Sequence, residues 1–256
     1  MSLLPSDPRP PPVSESLPDA RVTAPGTQGA APGWFSQAWL VMNKDIVIEL
    51  STGEVVTTSG FFAGLVVILA SLAFYGGPGT GRQVAAGVIW ISIAFAAVLA
   101  LSRAWQRERE EGALEALLVA PIPRSAIFAG KAAGLAVFLA VVEAVVFPLA
   151  AVLFSLDLFQ LGAGLLAFAA VATPGIAASG SLFGAMTVRT RARDLMLAII
   201  MFPLLAPILV AAVTGTRELL GGVPLAELGD YLRLMALFDL AFWAGGLLLF
   251  GVLVDD

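Results

Sequence analysis

The densest chemistry in the chain lies between two apolar blocks. Arg103, Arg107 and Arg109 crowd together with Glu108, Glu110 and Glu111, and Glu111, with Glu115 beyond Gly112, shares a helical repeat with Leu114, Leu117 and Leu118. That spacing gives a short helix with one charged and one apolar side, stopped by Pro121 and Pro123, because the residue before each proline is pushed out of the α region. Two readings of the run stand side by side. It is a lever joining the ends of two membrane helices, so that a partner gripping it moves both, or it is a solvated loop anchored by its arginines.

Two further carboxylates lie inside apolar surroundings, Glu143 about midway along its block and Asp239 nearer the end of another. An ionisable group in hydrocarbon costs several kcal/mol unless it is paired or wet, which makes each a candidate for function. Hydrogen-bonded packing is the alternative, and Asp239 could reach Arg233 or the interface.

Other chemistries are excluded by composition. The chain has no Cys and no His, so disulfides, structural zinc, a thiol nucleophile, an imidazole base and ordinary haem ligation are all out of reach. Of the remaining haem-ligand types, only six Met and two Tyr are present. No phosphate-binding loop occurs: Gly130-Lys131 is followed by Ala132 and lacks the upstream glycine. A net charge of -5 argues against nucleic acid, which calls for a basic face. No metal site and no bound cofactor is expected.

The elements that must position these groups are membrane helices. Of 256 residues, 59% are hydrophobic and 13% charged, about half the charge of an ordinary soluble domain. A bilayer core needs roughly 20 apolar residues in a helix, and blocks of that kind lie at 57–75, 83–102, 132–154, 160–188, 195–214 and 233–253. An all-α polytopic protein with six spans follows. The fourth block is long and holds Pro174, Gly175, Ser179, Gly180 and Gly184, so it is kinked, broken or tilted, and its small residues suit close helix packing. Pro148, Pro203 and Pro207 are expected to bend their helices.

Residues 1–33 differ in composition, with prolines recurring from Pro5 to Pro32, and read as a disordered tail. The domain proper is 34–256. It opens with 34–52, where Phe35, Trp39, Met42, Ile46 and Leu50 form one apolar stripe, as in a helix lying in the membrane interface. With the N-terminus inside, eleven of the 14 Lys and Arg fall on the cytoplasmic side and only Arg82, Arg217 and Arg233 outside, so both termini are expected in the cytoplasm. The stretch 103–131 is then a cytoplasmic loop. A second cytoplasmic turn holds Arg189, Arg191, Arg193 and Asp194, an orientation device that also attracts anionic lipid.

The order Glu110-Glu111-Gly112-Ala113-Leu114-Glu115-Ala116-Leu117-Leu118, then Pro121, Pro123, Arg124 and Gly130-Lys131, resembles the coupling segment in membrane subunits of the ABC-2 class of ABC transporters. Ala113 stands where Thr or Ser is commoner. Within that class the chain is similar to the haem exporter protein B (CcmB) family of bacterial cytochrome c maturation, through Gly87 to Trp90, Leu101 to Arg103, Thr173-Pro174-Gly175 with the Arg189 to Arg191 turn, and Pro203 and Pro207. The likeness covers about 35–256 and leaves out the proline-rich tail.

The resemblance implies a non-enzymatic permease subunit in the bacterial inner membrane. It implies that Glu110, Glu111, Gly112, Leu114, Glu115, Leu118 and Pro121 dock a separate cytoplasmic ABC ATPase subunit, with Arg189, Arg191, Arg193 and Asp194 as a second contact. It further implies a homodimer, a haem-handling membrane protein and a small one-span subunit as partners. ATP sits on the ATPase subunit, and haem is handled by the complex in loading or releasing a periplasmic chaperone. An ABC-2 permease exporting a drug, lipid or polysaccharide is the competing expectation.

Overall fold

The computed structural model describes residues 32–74, 80–110, 117, 119–187 and 193–255. Within the unit Gly33–Asp256 the described residues form α1 (Trp34–Thr52), α2 (Glu54–Ala73), α3 (Thr80–Glu110), α4 (Arg124–Leu153), α5 (Leu158–Thr187), α6 (Arg193–Leu220) and α7 (Gly229–Asp255), with a 3-10 turn at Leu225–Leu228. Helices α2 to α7 supply six stretches long and apolar enough to cross a membrane: Glu54–Ala73, Gly81–Glu108, Arg124–Leu153, Leu158–Met186, Ile199–Leu220 and Leu225–Val254. The chain is an all-α multi-pass membrane protein.

Several ends differ from the expected blocks. The second span continues past residue 102 to Glu108, and the third begins at Arg124 instead of 132, so 103–110 and 124–131 are helical stems and not loop. Charge marked these residues as loop, yet several of the charges are paired inside the protein, which removes the reason for them to leave the bundle. The fifth and sixth spans likewise run on to Leu220 and start at Leu225, shortening the turn between them. Helix α5 passes Pro174 unbroken, and α4 and α6 carry Pro148, Pro203 and Pro207 inside continuous helices.

Short-range chemistry fixes the joints. Gly53 ends α1 at φ 62° and begins α2 at once; this left-handed position favours glycine, and its N–H donates to the Glu49 carbonyl. Asp157 Oδ1 accepts from the N–H of Phe159 at 2.9 Å, capping α5. Between spans, Trp90 Nε1 donates to Thr216 Oγ1 at 2.9 Å in the buried contact of α3 with α6. The core is continuous, built on Trp90, Phe128, Phe168 and Phe250. Gly180 and Gly184 of α5 act as seats, for a Cβ at either would overlap Leu101 or Trp105 of α3. These small residues therefore serve helix packing.

Helix α1 presents two faces. Its contact face is Trp34, Ala38, Val41, Asp45 and Glu49, one residue out of step with the apolar stripe. Phe35 and Leu50, from that stripe, are 83% and 82% exposed. Asp45 and Glu49 turn inward to charged partners beside Ala38 and Val41, Ile46 packs against the core, and the exposed aromatics suit contact with lipid.

Candidate functional site at the charged end of the bundle

Four helices bring ionic side chains together where α3 ends and α4 begins. Lys131, on the second turn of α4, binds Asp45 of α1 at 2.9 Å and also Glu108 of α3. Lys44 of α1 reaches Glu108 at 2.7 Å and Asp45 at 3.0 Å. Two ammoniums thus face two carboxylates, with Lys131 only 8% and Glu108 only 5% exposed. A second set adjoins: Arg107 lies 3.6 Å from Glu49 and 3.5 Å from Glu54, and Arg103 lies 3.6 Å from Glu54. Four cations and four anions balance, and the buried ones, Lys131, Glu108 and Glu49, each lie in an ion pair.

The local sequence explains why these groups meet. Gly130 lets α1 lie directly on α4; a Cβ there would stand 2.6 Å from both the Ala38 carbonyl oxygen and Val41 Cβ. Trp34 Nε1 donates to Ser125 Oγ at 2.9 Å, pinning the other end of α1 beside the start of α4. Glu49 Oε1 accepts the Val56 N–H at 2.7 Å, tying α1 to the first turn of α2. Helix α1 is therefore a strap across the stems that flank the 111–123 segment.

Lys44 shows the electrostatics of the strap. Burial acts to lower its pKa, but the charges and hydrogen bonds of Asp45 and Glu108 more than offset it, so the ammonium is held above its ordinary 10.5. A raised value in the folded state means that this contribution to stability is present below pH 10.5 and is lost as pH climbs through the folded value. The melting temperature in detergent should be flat from about pH 7 to 9 and fall above about 10.5. In Lys44→Met that alkaline fall should be smaller, and an unchanged fall would contradict the pairing.

The residues singled out by sequence divide into groups. Of the proposed docking set, Glu111, Gly112, Leu114, Glu115 and Leu118 lie outside the described residues, as does the side chain of Glu110, which ends α3. Pro121 is exposed, while Leu117 and Ile122 pack against the core and Val119 points outward. Arg189 and Arg191 also lie outside the described residues, as do the side chains of Arg193 and Asp194 in the first turn of α6.

The intramembrane acids converge on one turn of α5. Thr173 Oγ1 donates to Glu143 at 2.5 Å, and a Cβ on Gly175 would overlap the Asp239 carboxylate. Asp239 does not meet Arg233, which pairs instead with Asp230 at 2.9 Å; its buried Oδ1 has no hydrogen-bond partner.

Sequence reasoning missed the cluster itself. Lys44, Asp45 and Glu49 read as the polar side of an interfacial helix, Glu108 as part of a charged loop and Lys131 as the end of the coupling motif, with nothing to bring them together. The available signal was Lys131, a lone charge in the apolar run from Ala126 to Leu139, together with Asp45 and Glu49 one turn apart behind Ala38 and Val41.

Haem exporter protein B of Paracoccus denitrificans is 30% identical over 165 residues, covering 62% of this chain and 74% of that protein. The protein of the same name from Rhodobacter capsulatus is 28% identical over 200 residues, 73% of this chain and 88% of that one. The Haemophilus influenzae counterpart is 25% identical over 174 residues, 67% and 77% of the two chains. The family model described as CcmB protein matches residues 36–246, a range that takes in α1, the ion cluster and most of the six spans, and the chain therefore belongs to the CcmB family.

Proposed function

We propose that this chain is the membrane subunit of a haem export complex for cytochrome c maturation. A separate cytoplasmic ATPase subunit grips the segment from Glu110 to Pro121, and this chain converts hydrolysis there into movement of its spans. The observation that carries the proposal is the ion cluster. Glu108 and Lys131 join the two stems of that segment, and α1 straps them, so a pull on the segment reaches α3 and α4 together. The names of the relatives supply the cargo, haem.

The complex contains a second copy of this chain, a haem-handling membrane protein and a small one-span subunit, in the bacterial plasma membrane with both termini cytoplasmic. The asymmetry of lysine and arginine supports that orientation. Arg189, Arg191, Arg193 and Asp194 form the second ATPase contact on the same side. ATP binds the partner, since this chain has no phosphate loop. Haem is cargo of the complex. With no His or Cys, this subunit works by moving its partners, releasing a haem-loaded periplasmic chaperone.

The test is charge reversal in the segment. Glu111→Lys combined with Glu115→Lys should abolish co-purification of the ATPase subunit and stop cytochrome c assembly while leaving this chain in the membrane. If ATPase association and cytochrome c assembly both persist, the coupling role is wrong.

A further inference from the structure

Glu143 is placed in a way that the coupling function does not use. It lies on the floor of a groove of about 420 Å³ between α4 and α5, lined among others by Val137, Ala140, Ala144, Leu166 and Ala170. Ala140, Ala144 and Ala170 are exposed along it, and Val137 and Leu166 form an exposed rim. Glu143 itself is 5% exposed. Its one described hydrogen bond comes from a neutral hydroxyl, that of Thr173.

Among the described residues, no cation faces this carboxyl group. Among the described side chains, Lys44 lies on α1, outside the six spans, and the other lysines and arginines lie toward the ends of the spans: Arg82, Arg103, Arg107, Arg124, Lys131, Arg217 and Arg233. Lys131, the one on α4 nearest to Glu143, is three turns away and is held by Asp45 and Glu108. For the same reason the described residues of a second copy would bring no cation to mid-membrane. Acidic groups in spans are stabilised by pairing with cations or hydrogen-bond donors, and shallow alanine-floored grooves admit another helix at close range.

We infer that the α4–α5 groove receives a transmembrane helix of a different subunit, one that carries a basic side chain at mid-bilayer opposite Glu143. Alanine gives the incoming backbone its approach, and the carboxylate sets its register. The inference rests on α4 and α5 spanning the membrane and does not depend on what the complex exports.

The absence of cysteine makes a direct test possible. The full chain in lipid nanodiscs is labelled with a donor fluorophore at a single Phe159→Cys, an exposed position on the first turn of α5. Two acceptor-labelled helical peptides of leucine and alanine are titrated in, identical except for lysine or leucine at the centre. Energy transfer should show the lysine peptide binding about ten-fold more tightly than the leucine peptide. That preference should disappear in Glu143→Leu and in Glu143→Gln, the second of which keeps the side-chain shape. Ala140→Leu fills the groove from an exposed position, leaves the fold intact and should weaken binding of the lysine peptide without touching the acid.

Equal binding of both peptides to the unaltered chain would overturn the inference, leaving the groove to lipid. So would a lysine preference that survives both Glu143 variants. Self-association through this face, seen as transfer between labelled copies that Ala140→Leu abolishes, would assign the groove to a second copy and overturn it as well. None of these results bears on ATPase docking, so failure here and failure of the coupling function are separable.

Discussion

Replacing Glu108 with lysine should leave little folded protein in the membrane, and adding Lys131→Glu to the same chain should restore much of it. Glu108 is the carboxylate that both Lys44 and Lys131 share. Its reversal gathers three ammoniums around Asp45 alone, in a pocket that water barely reaches. Removing one partner of a buried ion pair costs about 3–5 kcal/mol, because the other charge stays behind unpaired; reversal costs more, since repulsion is added. The milder Lys131→Met should lower the melting temperature by roughly 10 °C. The measurement is thermal unfolding in detergent for the three variants and the unaltered chain. If Glu108→Lys melts normally, or if the reversed pair is no better than Glu108→Lys alone, the cluster does not hold α3 to α4.

Gly130→Leu should have a comparable effect by a steric route. The first atom of any side chain at this position meets the Ala38 carbonyl oxygen and Val41 Cβ at 2.6 Å, and neither is the far end of a flexible chain. Helix α1 must move away, and its departure takes Asp45 and Lys44 from Lys131 and Glu108. The variant therefore combines overpacking, about 1–3 kcal/mol, with exposure of the ion cluster. Protease accessibility of α1 in membrane vesicles should rise sharply, and a disulfide engineered between α1 and α4 should form less readily. Unchanged protection would mean that α1 is not seated through Gly130. Gly134 makes the internal control, for a Cβ there meets Asp45 only at 3.6 Å, so Gly134→Ala should be nearly silent.

The six spans were legible because hydrocarbon imposes a length and a composition on any helix that crosses it, and no tertiary detail is needed to recognise either. The ABC-2 class was legible in the ordered motif from Glu110 to Lys131, and the family in Gly87 to Trp90, Leu101 to Arg103, Thr173-Pro174-Gly175 with the Arg189 to Arg191 turn, and Pro203 and Pro207. The ends of the second and third spans were not, since Arg107, Glu108 and Lys131 look like water-loving residues until their partners are known. Those partners are remote: Lys44 and Glu108 are 64 residues apart, and Lys131 and Asp45 are 86. In helix α1 the apolar stripe was legible as a lipid-facing one, but the face that packs on protein, with Ala38, Val41, Asp45 and Glu49, was not, because Asp45 and Glu49 need remote partners to be buried. Asp239 shows the same limit at shorter range, since proximity in sequence suggested Arg233, whereas Gly175 on another helix opens the space the carboxylate occupies.

The spans also differ in stiffness. Helix α3 runs for 31 residues, about 46 Å at 1.5 Å per residue, with no proline, while α4, α5 and α6 each contain one or two. It is bolted at one end through Glu108, keyed along its length by Leu101 and Trp105 against α5, and tied by Trp90 to Thr216 of α6 farther along. Free of proline and fixed at these points, α3 is a strut, and any bending within the spans is expected in the proline-containing α4, α5 and α6.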